Sequence, residues 1–109
     1  MKTKKIPIRD LSGEPLNWVV ARLQEGAYAD FCGDWALGGP VVEKMGIHIS
    51  RRYPDIWDAV IKPEHYTNGT RGVVREMIAS GSTPLEAAMR CYVGAMLGPS
   101  VNFSEWGPL

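Results

Sequence analysis

The sequence has little of anything that would mark a specialised class. Two cysteines, Cys32 and Cys91, occur in 109 residues, and their wide separation excludes a disulfide scaffold or a thiolate zinc site and points to a reducing compartment. Charge of one sign is absent. Twelve Lys and Arg face twelve Asp and Glu, for a formal net charge of +0, so there is no electrostatic footprint for bulk nucleic-acid binding. No apolar run approaches the roughly 20 residues that span a bilayer, because Gly, Pro or a charge interrupts each one. The basic start from Met1 to Ile8 lacks the apolar core and cleavage site of a secretory signal, and the expected location is the cytoplasm. The GxSxG elbow, the Walker A loop, GxGxxG after a strand and HExxH are all missing. The expectation is a non-catalytic chain with no cofactor.

What remains is the composition of one soluble α+β domain over residues 1–109, with 45% hydrophobic and 22% charged residues, enough for one core and no more. A core this small gains from self-association, so a homo-oligomer is an expected state. Ser12 is placed to cap a helix running to Glu25, with Leu11 stapled onto Leu16, Pro15 in the first turn and Gly26 as the stop. Residues 27–39, rich in glycine and aromatics, read as a structured loop in which Asp34 can cap an early turn. A short helix is expected to open at Pro40 and end at Gly46. From Ile47 the apolar period becomes two, which predicts strands Ile47–Tyr53 and Ile56–Lys62 joined as an antiparallel hairpin through Pro54-Asp55. Lys62 to Ser80 reads as a long loop or insertion with one strand near Val73–Ile78. Thr83-Pro84-Leu85-Glu86 is a capping box that opens a helix to Leu97, stopped by Gly98-Pro99, and the tail bearing Phe103 and Trp106 reads as irregular. Ala87, Cys91 and Ala95 form a ridge of small side chains that allows close approach to a sheet or helix.

Several residues could carry function. Gly33 to Pro40 could offer backbone amides to an anion, although a tight turn explains it more simply. His48 and His65 have no nucleophile at a useful spacing. Asp30, Cys32 and Asp34 mix carboxylates and a thiol without a fourth ligand, which suits no common metal, so no metal site is expected. The aromatic supply is larger: Trp18, Trp35, Trp57, Trp106, Tyr28, Tyr53, Tyr66 and Tyr92 are set among arginines such as Arg51 and Arg52, and such pairs stack planar or anionic ligands. Core or oligomer packing accounts for most of them. Arg90 lies among small and apolar neighbours and should find a carboxylate or ligand, with Glu43 the expected partner and solvent exposure the alternative. Trp35, Arg51, Trp57, Arg90 and Glu43 are therefore the candidate ligand-binding residues.

The block Gly81-Ser82-Thr83-Pro84-Leu85-Glu86-Ala87-Ala88-Met89-Arg90-Cys91-Tyr92-Val93, closed by Leu97-Gly98, resembles the C-terminal signature of the phage NinX-like family. Leu11-Ser12-Gly13 with Leu16 to Ala21, Asp34-Trp35 to Gly39-Pro40-Val41-Val42-Glu43, and Trp57-Asp58-Ala59 match in the same order. The order of elements is also similar, more weakly, to a small phage α/β/α sandwich domain. The Lys62 to Ser80 segment departs from the pattern. The resemblance implies a protein of a phage or prophage, in a family of unknown function, and it carries over no catalytic residue. The neutral charge, the missing catalytic motifs and the spare aromatic surface point to an accessory protein that binds a host or phage protein. The alternative expectation is a protein that binds or sequesters a small nucleotide as a counter-defence.

Overall fold

The architecture is described from a computed structural model covering residues 5–62 and 76–106. Strand β1 (Lys5–Pro7) and a 3-10 helix (Ile8–Asp10) lead into α1 (Gly13–Leu23), and α2 (Trp35–Met45) follows. Strands β2 (His48–Tyr53), β3 (Ile56–Ile61) and β4 (Met77–Gly81) come next, then α3 (Pro84–Leu97), β5 (Ser100–Asn102) and a last turn, α4 (Phe103–Trp106). The fold class is α+β, as expected. A three-stranded antiparallel sheet has the order β2-β3-β4, and β1 pairs with β5 in a separate two-stranded ribbon.

Helix α3 organises the rest. It packs on β3 and β4 through one side and on α1 and α2 through another, and nine of its residues are buried, so its amphipathic pattern is broad. The ridge of small residues lies against the sheet: a Cβ added to Gly81 of β4 would sit 2.6 Å from the Ala87 backbone nitrogen. Leu11, Leu16, Val19 and Val20 meet Met89 and Val93 in one core cluster. Each such side chain, fully buried, contributes about 2 kcal/mol of transfer free energy.

The hairpin stands as read, with Ile49 opposite Ala59 and Arg51 opposite Trp57, and with an irregularity between Arg51 and Tyr53. Other boundaries are corrected. Helix α2 starts at Trp35 rather than Pro40, because the Asp34 carboxylate accepts a hydrogen bond from the Ala36 N–H at 2.9 Å and caps it there. Gly38 then becomes a contact point, since a Cβ there would strike the Phe31 carbonyl and Leu85. This tertiary fit overrides the helix-breaking tendency of Gly38-Gly39-Pro40.

At the end of α1 the left-handed residue is Glu25 (φ 56°), not Gly26. Glu25 N–H donates to the Arg22 carbonyl at 3.1 Å and Gly26 N–H to the Ala21 carbonyl at 3.0 Å, a Schellman closure. Ser12 occupies its N-cap position, but its hydroxyl makes no capping bond. The described end of the predicted long loop holds strand β4, Met77–Gly81, and residues 63–75, with the first half of the expected Val73–Ile78 strand, fall outside the described residues. The tail is ordered: Lys5 pairs with Asn102 and Ile6 with Val101, and Phe103 and Trp106 pack partly buried against the core. No helix among the described residues is long and apolar enough to cross a membrane.

Candidate binding groove

The 3-10 helix, the N-cap of α1, strand β4, the first half of α3 and the tip of the β2–β3 hairpin enclose an open groove of about 750 Å³. That volume lies within the range of small-molecule sites. Its inner wall is built around the start of α3. Thr83 Oγ1 accepts from the Glu86 N–H at 3.1 Å. The Glu86 carboxylate turns back to accept from the Ser82 N–H at 2.9 Å and the Ser82 hydroxyl at 3.1 Å, so the capping box closes on Ser82 rather than on Thr83.

One turn further along α3, the Arg90 side chain is 14% exposed. Arg90 Nε donates to the Leu11 carbonyl at 2.7 Å and Nη1 to the Ser80 carbonyl at 2.8 Å, while Nη1 lies 3.5 Å from Glu86 Oε1. The pairing with Glu43 is therefore corrected. Glu43 is exposed on α2, and Arg90 finds its carboxylate locally, at the i−4 position of its own helix.

The outer wall carries a second arginine. Arg52 grips the Asp58 carboxylate with Nε at 2.9 Å and Nη2 at 2.6 Å, and Nη2 also donates to Ser80 Oγ at 2.8 Å. Ser80 Oγ in turn donates to Asp58 Oδ1 at 2.7 Å. Hydrogen bonds from Arg52 and then Ser80 hold the Asp58 carboxyl down at about 2. Arg52 and Ser80 escaped the sequence reading because the row Ser50, Asp58, Ser80 becomes visible only when β4 is aligned on β3.

The remaining candidates lie elsewhere. Arg51 Cζ sits 5.5 Å from the centroid of the Trp57 ring, so the two stack on each other across the hairpin, and Arg51 Nη2 also donates to the Pro54 carbonyl at 3.1 Å. Trp35 and Glu43 are both exposed on α2. The five candidates thus occupy three places: α2, the hairpin and the groove. Asp30, Cys32 and Asp34 are each engaged structurally. Asp30 accepts from Asn17 Nδ2 at 2.9 Å, Cys32 N–H donates to Asn17 Oδ1 at 2.9 Å, and Asp34 caps α2. Burial, then the nearby Asp30 carboxylate, raises the Cys32 thiol pKa, and burial pushes Cys91 up to about 12, so neither is an activated nucleophile. Among the described residues, no group of three or more His, Cys, Asp or Glu could hold a metal ion. His48 is exposed on β2, and His65 and Tyr66 lie outside the described residues.

The family described as Bacteriophage P22, NinX matches residues 29–96, more than half of the chain, from the loop before α2 to the end of α3. The chain belongs to the phage NinX family. No curated protein matches it. The part of this NinX protein within the match contains Arg52, Asp58, Ser80, Glu86 and Arg90. The Arg9 and Ser12 side of the groove precedes it, as does the Leu11 to Ala21 block.

Proposed function

We propose that this NinX protein is a phage accessory factor that works in the host cytoplasm by binding a protein partner, with the exposed side of α2 as the contact surface. The observation that carries this reading is Trp35, 52% exposed in the first turn of α2. A tryptophan that open to water is uncommon unless it has a second role, and tryptophan is enriched among the residues that dominate protein interfaces. Its backbone is preorganised: Asp34 caps the helix, Gly38 is seated against the Phe31 carbonyl, and the buried Asn17 amide holds Asp30 and Cys32 of the preceding loop. A rigid frame lowers the entropy cost of binding. Glu43, exposed about two turns further along the same helix, widens the surface.

The test is affinity capture with the full chain from infected and uninfected host cells, followed by a purified binding assay with the captured partner. Trp35→Ala should weaken binding by about thirtyfold, the effect of losing a central interface tryptophan, with the thermal midpoint unchanged. A partner that binds the variant as well as the original chain would contradict the reading, as would self-association through this face with no second protein.

A further inference from the structure

The groove holds hydrogen-bond donors that the fold itself leaves unused. Arginine has five N–H groups, and the recessed Arg90 directs Nε and Nη1 to Leu11, Ser80 and Glu86. Its Nη2, with two N–H groups, has no partner among the described residues, although the side chain is only 14% exposed. Because Arg90 lines the groove, these two N–H groups are available to an acceptor placed there. Glu86 Oε1 accepts from Ser82 N–H and Ser82 Oγ and faces Arg90 through Nη1, not Nη2. Asp58 is engaged by Arg52 and Ser80.

Two further groups face the same space. Ser12 lines the groove with a hydroxyl that caps nothing, and Arg9 lines it from an exposed position without a partner among the described residues. Between these polar groups the walls are apolar, formed by Ile8, Ile56 and Ile78, and Ile78 is 64% exposed. Three arginines, Arg9, Arg52 and Arg90, and two carboxylates, Asp55 and Glu86, line the groove. This excess of positive charge, beside apolar side chains in a cleft of this size, matches a small molecule with an oxyanion and a flat or apolar body.

We propose that the groove is a binding site for a small phosphate monoester, whose phosphate oxygens accept from Arg90 Nη2, Arg9 and Ser12 and whose organic body lies against Ile8, Ile56 and Ile78. Phosphate is favoured over carboxylate because three separate donors line the one groove, and a phosphate offers three acceptor oxygens where a carboxylate offers two. This site is independent of the α2 surface, and the failure of either leaves the other standing.

Isothermal titration of the full chain tests it with adenosine monophosphate, ribose 5-phosphate, adenosine and benzoate as probes. The expected result is binding of the two phosphate esters, weakened by added salt, with none for adenosine. Arg9→Ala, at an exposed position, should keep the fold and weaken binding by about tenfold, the loss of one charge-assisted contact. Arg90→Lys keeps a positive charge but replaces the three guanidinium nitrogens, Nη2 among them, by a single ammonium, and should weaken binding by a similar factor, its folded state checked by thermal unfolding. Absence of binding by both esters at millimolar concentration would overturn the proposal. So would binding of benzoate in place of the esters, or ester binding that both variants leave unchanged.

Discussion

Arg52 and Arg90 reach the same residue, Ser80, from opposite walls of the groove, one at its hydroxyl and the other at its carbonyl. Arg52 is 49% exposed and holds Asp58 at 2.6 Å, whereas Arg90 is 14% exposed and stands 3.5 Å from Glu86. By distance alone the first is the better ion pair. By consequence the second matters more, because Arg90 supplies donors to two main-chain carbonyls that join α3 to β4 and to the chain entering α1. An exposed pair exchanges water for protein at little net gain, while a recessed donor leaves its acceptors stranded when it is removed.

The sharpest way to break this comparison is to delete each arginine in turn. Arg90→Ala should destabilise the protein by about 3 kcal/mol in urea unfolding, because the Leu11 and Ser80 carbonyls and Glu86 lose a shared partner, and Arg52→Ala should produce a far smaller shift. Equal losses would show that the exposed network carries as much as the recessed one. Gly81→Ala disturbs only the Arg90 side, since its Cβ would meet the Ala87 nitrogen at 2.6 Å and Glu86 Oε1 at 3.0 Å. The expected cost is about 2 kcal/mol, from pushing α3 off β4, measured by the same unfolding curve. Ser80→Ala removes the acceptor seen by Arg52 but keeps the carbonyl seen by Arg90, and should cost about 1 kcal/mol.

The smallest effect is one of pH. Asp58 is held at about 2 in the folded chain against an ordinary 3.8, so its contribution is complete above pH 3.8 and disappears as the pH falls towards 2. An NMR titration should place its carboxyl near 2 in the intact chain, and closer to, but still below, its ordinary value once Arg52 is replaced by alanine and the Ser80 hydrogen bond remains.

Legibility in the sequence followed the strength of local signals. Helices α1 and α3 and the β2–β3 hairpin announce themselves through apolar period and punctuation: Thr83-Pro84 with Glu86, Gly98-Pro99 after Leu97, and Pro54-Asp55 between alternating runs. The start of α2 was hidden because Gly38, Gly39 and Pro40 argue against a helix that only contact with Phe31 and Leu85 justifies. Strand β4, with Ala79, Ser80 and Gly81, has low intrinsic strand preference. Its small residues are there so that α3 can lie close, a reason visible only once the two are packed. The ribbon of β1 and β5 joins segments nearly a whole chain apart, so neither half carries enough pattern alone.

The candidate site divided in the same way. Arg90 stood out because a charge on an apolar helix needs a partner, and Arg51 and Trp57 because aromatics set among arginines suit stacking; that they face each other is a matter of register. Arg52, Ser80 and Ser12 depend on the alignment of elements that local sequence does not determine.

Under the proposal Arg90 has two duties, three contacts that hold α3 in place and one nitrogen offered to a ligand, while Arg52 serves the sheet. The side-chain guanidinium resonances of both arginines, followed by NMR as adenosine monophosphate is added, separate the two. The Arg90 signals should shift and saturate while those of Arg52 stay in place. Movement of Arg52 with Arg90 unchanged, or no movement of either at a saturating concentration of the ester, would contradict it.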